Sequence, residues 1–171
     1  DITGVGYGIC SFYPKDNNKE RNFLEKYLSE KEQKLILISN QSDSYVKLAK
    51  KAIEKYILSK EKVLVSEELP KEMIDNKAGV FVSIHKFGIL RGCIGTIFPT
   101  KNTIAEEIIT NAISASTNDP RFLPITQDEL KWLEISVDIL GKIEPIVSKE
   151  ELNPKEYGVI VSSGLKRGLL L

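Results

Sequence analysis

The chain has 171 residues, 42% apolar and 28% charged, with 24 Lys+Arg set against 24 Asp+Glu. That length suggests one domain, or one domain plus an appendage. Zero net charge argues against a broad polyanion-binding face while leaving room for a local basic patch. No apolar run is long enough for a membrane span, and two distant cysteines and a single histidine exclude a disulfide framework, a zinc knuckle and a His-rich metal site.

Residues 1–14, DITGVGYGICSFYP, alternate small and apolar side chains and predict one strand ending at Pro14. Gly4, Gly6 and Gly8 resemble a phosphate loop only superficially, because no strand precedes them and no helix starts on them. Residues 15–41 are highly charged with a thin apolar stripe, and predict a linker carrying a loosely docked helix. The following stretch, SDSYVKLAKKAIEKYILSK, places Tyr45, Leu48, Ala49, Ala52, Ile53, Tyr56 and Ile57 at helical spacing, with Ser42 or Asp43 available as the cap. Its lysines read as a solvated face.

AGVFVSIHKFGILRGCIGTI, residues 78–97, alternates twice about Lys86-Phe87-Gly88 and predicts a β-hairpin. Thr103 and Glu106 have capping-box spacing ahead of a second helix carrying Ile104, Ile108, Ala112 and Ala115. NDPRFLP ends it. Thr126 and Glu129 repeat the cap, and Leu133, Ile135, Val137 and Ile139 alternate as a strand. YGVIVSSGLKRGLLL predicts a second hairpin turning at Ser163-Gly164. Hairpin-linked strands with two main helices give an α+β fold: a largely antiparallel sheet with helices packed on one face. The absent initiator methionine and the apolar ending GLLL read as the cut ends of a longer polypeptide.

In the first hairpin, Arg91, Cys93 and Gly95 share one strand face, and Leu90, Gly92 and Ile94 share the other. A cation beside a thiol favours the nucleophilic thiolate, so Cys93 is the candidate catalytic residue, with Arg91 as activator and His85 as proton carrier across the turn. Gly92 and Gly95 leave room for a ligand or another backbone. The competing reading is a tightly packed strand in which cysteine is a small hydrophobe. Arg121 emerges from the rigid Asp119-Pro120 corner and either binds an anion or locks the loop onto Asp119 or Asp128, the lock being favoured. Lys166 and Arg167 at the last hairpin read first as a solvated turn, with added positive charge for the same region as the alternative.

GVFVSIHKFGILRGCIGT, the DPRF segment with its following proline, ELKWLEISVDIL and YGVIVSSGLKRGLLL together resemble the AMMECR family in order and spacing, over roughly residues 42–171. The hexapeptide LRGCIG is kept as Leu90 to Gly95. The resemblance implies an antiparallel sheet flanked by helices, a smaller lobe, and a functional site at Arg91, Gly92, Cys93, Ile94 and Gly95; His85 and Arg121 are binding candidates on the residue reading alone. It also implies that the C-terminus is truncated. Residues 1–14 look like the last strand of a Memo-like, LigB-type extradiol dioxygenase domain, as in the bacterial AmmeMemoRadiSam system protein A arrangement, which is encoded beside a radical-SAM partner.

On that reading the metal ligands of the dioxygenase-like domain lie upstream, and no cofactor or metal is expected within this chain. The expected function is a ligand- or partner-binding accessory module. Its partners would be the preceding domain, the radical-SAM protein, or a nucleotide or RNA. The alternatives are a cysteine-dependent enzyme and part of a dioxygenase-like oxidoreductase. A cytoplasmic location without membrane association is expected.

Overall fold

The computed structural model describes residues 10–11, 13, 22–153, 155, 157–164 and 166–170. The strand expected over residues 1–14 falls almost wholly outside them. The segment expected as a linker contains helix α1, Phe23–Gln41, none of whose residues is buried. It touches the body through a Glu32–Lys131 ion pair at 3.7 Å and through Lys50 donating to Ser39 Oγ at 2.7 Å.

Helix α2, Ser44–Ser59, begins where Asp43 Oδ1 accepts from the Val46 amide at 2.9 Å, which satisfies one of the amides a helix start leaves unpaired. It buries Leu48, Ala49, Ala52 and Ile53. A short helix, α3 (Lys71–Asp75), follows and inserts Met73 into the core. Helix α4, Ile104–Thr117, is capped by Thr103 Oγ1 on the Glu106 amide at 3.1 Å. Its cap is not reciprocal: Glu106 reaches back to the Asn102 amide, one residue before the cap.

Strands β1 (Val80–Lys86), β2 (Ile89–Gly95) and β3 (Leu133–Ile139) form an antiparallel sheet in the order β2-β1-β3. The β1–β2 turn sets Phe87 at φ +55° and Gly88 at +78°, and the Phe87 ring leans on Trp132 at 5.3 Å. Val80, Val82 and Ile84 are fully buried against α4, while Phe81, Ser83 and His85 between them are only partly covered. Burying each of those aliphatic side chains contributes about 1.5–3 kcal/mol, which fixes the face that β1 turns inward. Helices α2 and α4 thus cover one side of the sheet. A separate two-stranded ribbon, β4 (Val159–Ser163) with β5 (Lys166–Leu170), completes the α+β fold, with Gly164 at φ +58° in its turn.

Candidate functional site

The register of the first hairpin decides which groups meet. Cys93 lies opposite Ser83, and Ser83 lies opposite Ser136 on β3. The Ser83 hydroxyl donates to Cys93 Sγ at 3.2 Å. A bulge between Ile84 and His85 then shifts the pairing, so His85 faces Leu90 on one side and Glu134 on the other. The Ser83–Cys93 pairing puts a hydroxyl opposite the thiol where an imidazole was expected, and the bulge takes His85 off Arg91 as well.

Strand β2 is an edge, and an edge strand exposes a row of backbone donors and acceptors. At Cys93 both outward groups are taken. Its amide donates to Asp119 Oδ2 at 2.8 Å, and its carbonyl accepts from Arg121 Nη2 at 3.1 Å. Arg121 also grips Asp119 with two bonds, Nε to Oδ1 at 3.0 Å and Nη2 to Oδ2 at 2.8 Å. The pair replaces a neighbouring strand. The Arg121 guanidinium beside Asp119 holds its carboxyl well below the usual carboxylate range; burial opposes this, and the Cys93 and Arg121 amides add to it. Arg121 therefore acts as a lock on Asp119, and none of the described bonds links it to Asp128.

Arg91 is spent in the same manner. Its Nε and Nη2 donate to the two oxygens of Glu129 at 3.1 and 2.9 Å, and its Nη1 and Nη2 donate to the carbonyls of Leu123 and Pro124 at 2.7 and 3.3 Å. Lys86 also reaches Glu129, at 2.9 Å. Glu129 is held at about 2 by the Arg91 guanidinium, against its burial and with help from Lys86 and the Thr126 amide. The positive charge expected to activate Cys93 is thus matched by a carboxylate.

The glycines are filled from within. A Cβ at Gly92 would overlap the Ala115 carbonyl oxygen, so β2 lies directly on the last turn of α4. A Cβ at Gly95 would overlap the Phe81 ring, which lies across that glycine on the outer face. Ile94 packs against the core. Of the hexapeptide, Gly92 lies against α4 and Ile94 against the core, and Cys93 shares the outer face with Ser83 and Ser136. The side chain of Arg167 lies outside the described residues.

Ser83, Ser136 and Glu129 carry this arrangement and were not singled out as site residues by the sequence pattern. Glu129 was visible only as a helix cap. Ser83 could be found from strand alternation plus a correct register, which the bulge obscures. Among the described residues no cluster of three or more His, Cys, Asp or Glu could hold a metal ion, and no helix is long and apolar enough to cross a membrane.

A family model described as AMMECR1 matches residues 46–171. A Clostridium acetobutylicum protein is 48% identical across 98% of this chain, which spans 36% of that protein's length. A Thermotoga maritima protein is 50% identical over 74% of this chain and 74% of its own length. The crystal structure of an uncharacterised Pyrococcus horikoshii protein is similar with a TM-score of 0.65 and 34% identity, over 74% of this chain and 66% of that one.

Proposed function

This chain belongs to the AMMECR1 family, and we infer that it works as a partner-binding module, presenting the outer face of its three-stranded sheet as the docking surface. One observation carries the reading: Cys93 is held through both backbone groups, and its sulfur meets the Ser83 hydroxyl and an Arg121 guanidinium already paired with Asp119, with no imidazole opposite it. Nucleophilic cysteine chemistry needs a base or an unmatched cation close to sulfur. Here His85 pairs with Leu90 and Ser83 takes the place opposite Cys93, and Arg91 and Arg121 are neutralised by Glu129 and Asp119. A small-residue floor of Ser83, Cys93 and Ser136, side by side across three strands, suits shape recognition.

The same neutralisation weakens the nucleotide or RNA reading, since an anion would have to compete with two buried carboxylates for those guanidinium groups. A protein partner is favoured. The AmmeMemoRadiSam arrangement supplies one in its radical-SAM protein. The length of the Clostridium relative beyond the match supports placing this domain within such a larger assembly.

Co-purification with the radical-SAM partner tests this. Ser136 is exposed, so Ser136→Arg should block the face without disturbing the fold and abolish capture, whereas Cys93→Ser should retain it. Loss of the system's activity in Cys93→Ser with capture intact would assign the thiol a chemical role. Perturbation of the same face by ATP or an oligoribonucleotide, with no capture of the protein, would also overturn the reading.

A further inference from the structure

A second extended stretch has no paired strand among the described residues. After α2 the chain runs through Lys62–Val65 alongside the first turns of α4, in neither helix nor sheet. Val63 is 9% exposed, Leu64 is 85% exposed and Val65 is half-buried, the alternation of an extended strand with one face inward. The composition Val-Leu-Val favours a pleated, half-buried surface. Among the described residues, no hydrogen bond within the chain reaches the backbone N–H or C=O groups of these four residues.

A groove of about 420 Å³ opens beside them, with Thr100, Lys101, Asn102, Glu106, Ile109 and Thr110 on its other wall. Its acids are already engaged. Glu106 accepts from the Asn102 amide at 2.9 Å. Glu107 beneath is fully buried and accepts from Thr96, Thr100 and the Lys101 amide at 2.7–2.9 Å. Its burial pushes the carboxyl up, but those donors outweigh it and hold it below the ordinary range. The rim cations are different. Lys62 and Lys101 line the groove, and Lys77 reaches Asn102 Oδ1 at 3.4 Å. None of the three is in an ion pair among the described residues.

We propose that this groove binds an acidic, extended segment of a protein partner, which adds a strand alongside Lys62–Val65. Backbone pairing along a free strand supplies affinity, and alternate side chains supply selectivity. Here the partner's apolar side chains enter beside Ile109, and its carboxylates meet Lys62 and Lys101. The surface shares no residue with the Cys93 face, so this proposal stands or falls separately from the function inferred above.

A fluorescein-labelled nine-residue peptide alternating Val with Glu tests it, by anisotropy and by amide chemical-shift mapping on the 171-residue chain. Two controls carry Lys in place of Glu, or N-methylated backbone amides at alternate residues. The acidic peptide should bind and shift amides confined to 62–65, 100–102 and 106–110. Lys62→Glu with Lys101→Glu should weaken it at least tenfold with unchanged thermal stability, and N-methylation should do the same. Absence of binding by the acidic peptide would overturn the proposal. So would equal binding of the N-methylated or basic peptide, or competition by an oligoribonucleotide at the same amides.

Discussion

Strand β2 and the extended stretch Lys62–Val65 both carry backbone groups that no strand pairs among the described residues, and the chain treats them oppositely. At Cys93, the β2 edge is closed by Asp119 and Arg121, which occupy the amide and carbonyl that a neighbouring strand would take. At Lys62–Val65 nothing among the described residues closes it, and an exposed leucine sits at its centre. The closed edge has its backbone groups at Cys93 taken and turns a side chain outward; the open stretch leaves its backbone available. A sheet edge is an aggregation hazard unless it is blocked or used, so blocking one and leaving the other marks them for different work.

The contrast can be broken most severely beneath the closed edge. Gly92→Ala forces a methyl into the Ala115 carbonyl oxygen, a backbone atom that cannot step aside, and should cost about 3 kcal/mol or more in urea unfolding. The open stretch should be unaffected in that variant's amide shifts until it unfolds. Asp119→Ala comes next. It leaves the Cys93 amide and the Arg121 guanidinium without their shared acceptor, for a loss of about 2–3 kcal/mol by the same measurement.

A smaller effect follows from Glu129. Its folded-state carboxyl lies at about 2, below the ordinary 4.5, so the stability it contributes is fully present above about pH 5 and drains away as pH falls through that range. The contribution is about 3 kcal/mol at most. The melting temperature of Glu129→Gln should therefore lie below wild type at pH 7 and converge with it near pH 2. A parallel offset at every pH would contradict the ion-pair account. The smallest effect belongs to the open edge: Leu64→Lys should change stability by no more than about 0.5 kcal/mol, because the residue it replaces touches mostly water. A larger loss would mean that Leu64 is already packed.

Much of this architecture could be read from local pattern. The stripe Leu48, Ala49, Ala52, Ile53 set α2, and the alternation of Val80, Val82 and Ile84 set β1, because one buried face imposes a period that a single chain segment displays. The relation between Arg121 and Asp119 was also legible, since the two lie two residues apart in a proline corner. The remainder depends on long-range placement. Cys93 meets Asp119 across 26 residues, and Arg91 meets Glu129 across 38. Strand alternation put Arg91 and Cys93 on one face but said nothing of a carboxylate arriving from the 3-10 turn at Gln127–Trp132. The bulge after Ile84 shifted His85 out of register, and no residue pattern announced it.

Asp119 stands in for a missing strand at Cys93, and hydrogen exchange at a single amide tests this most directly. The Cys93 N–H should exchange as slowly as the central β1 amides, although it points away from the sheet, and in Asp119→Ala it should exchange far faster while the Ile84 amide stays protected. A Cys93 amide that exchanges in the wild-type protein as freely as an exposed loop would contradict the claim.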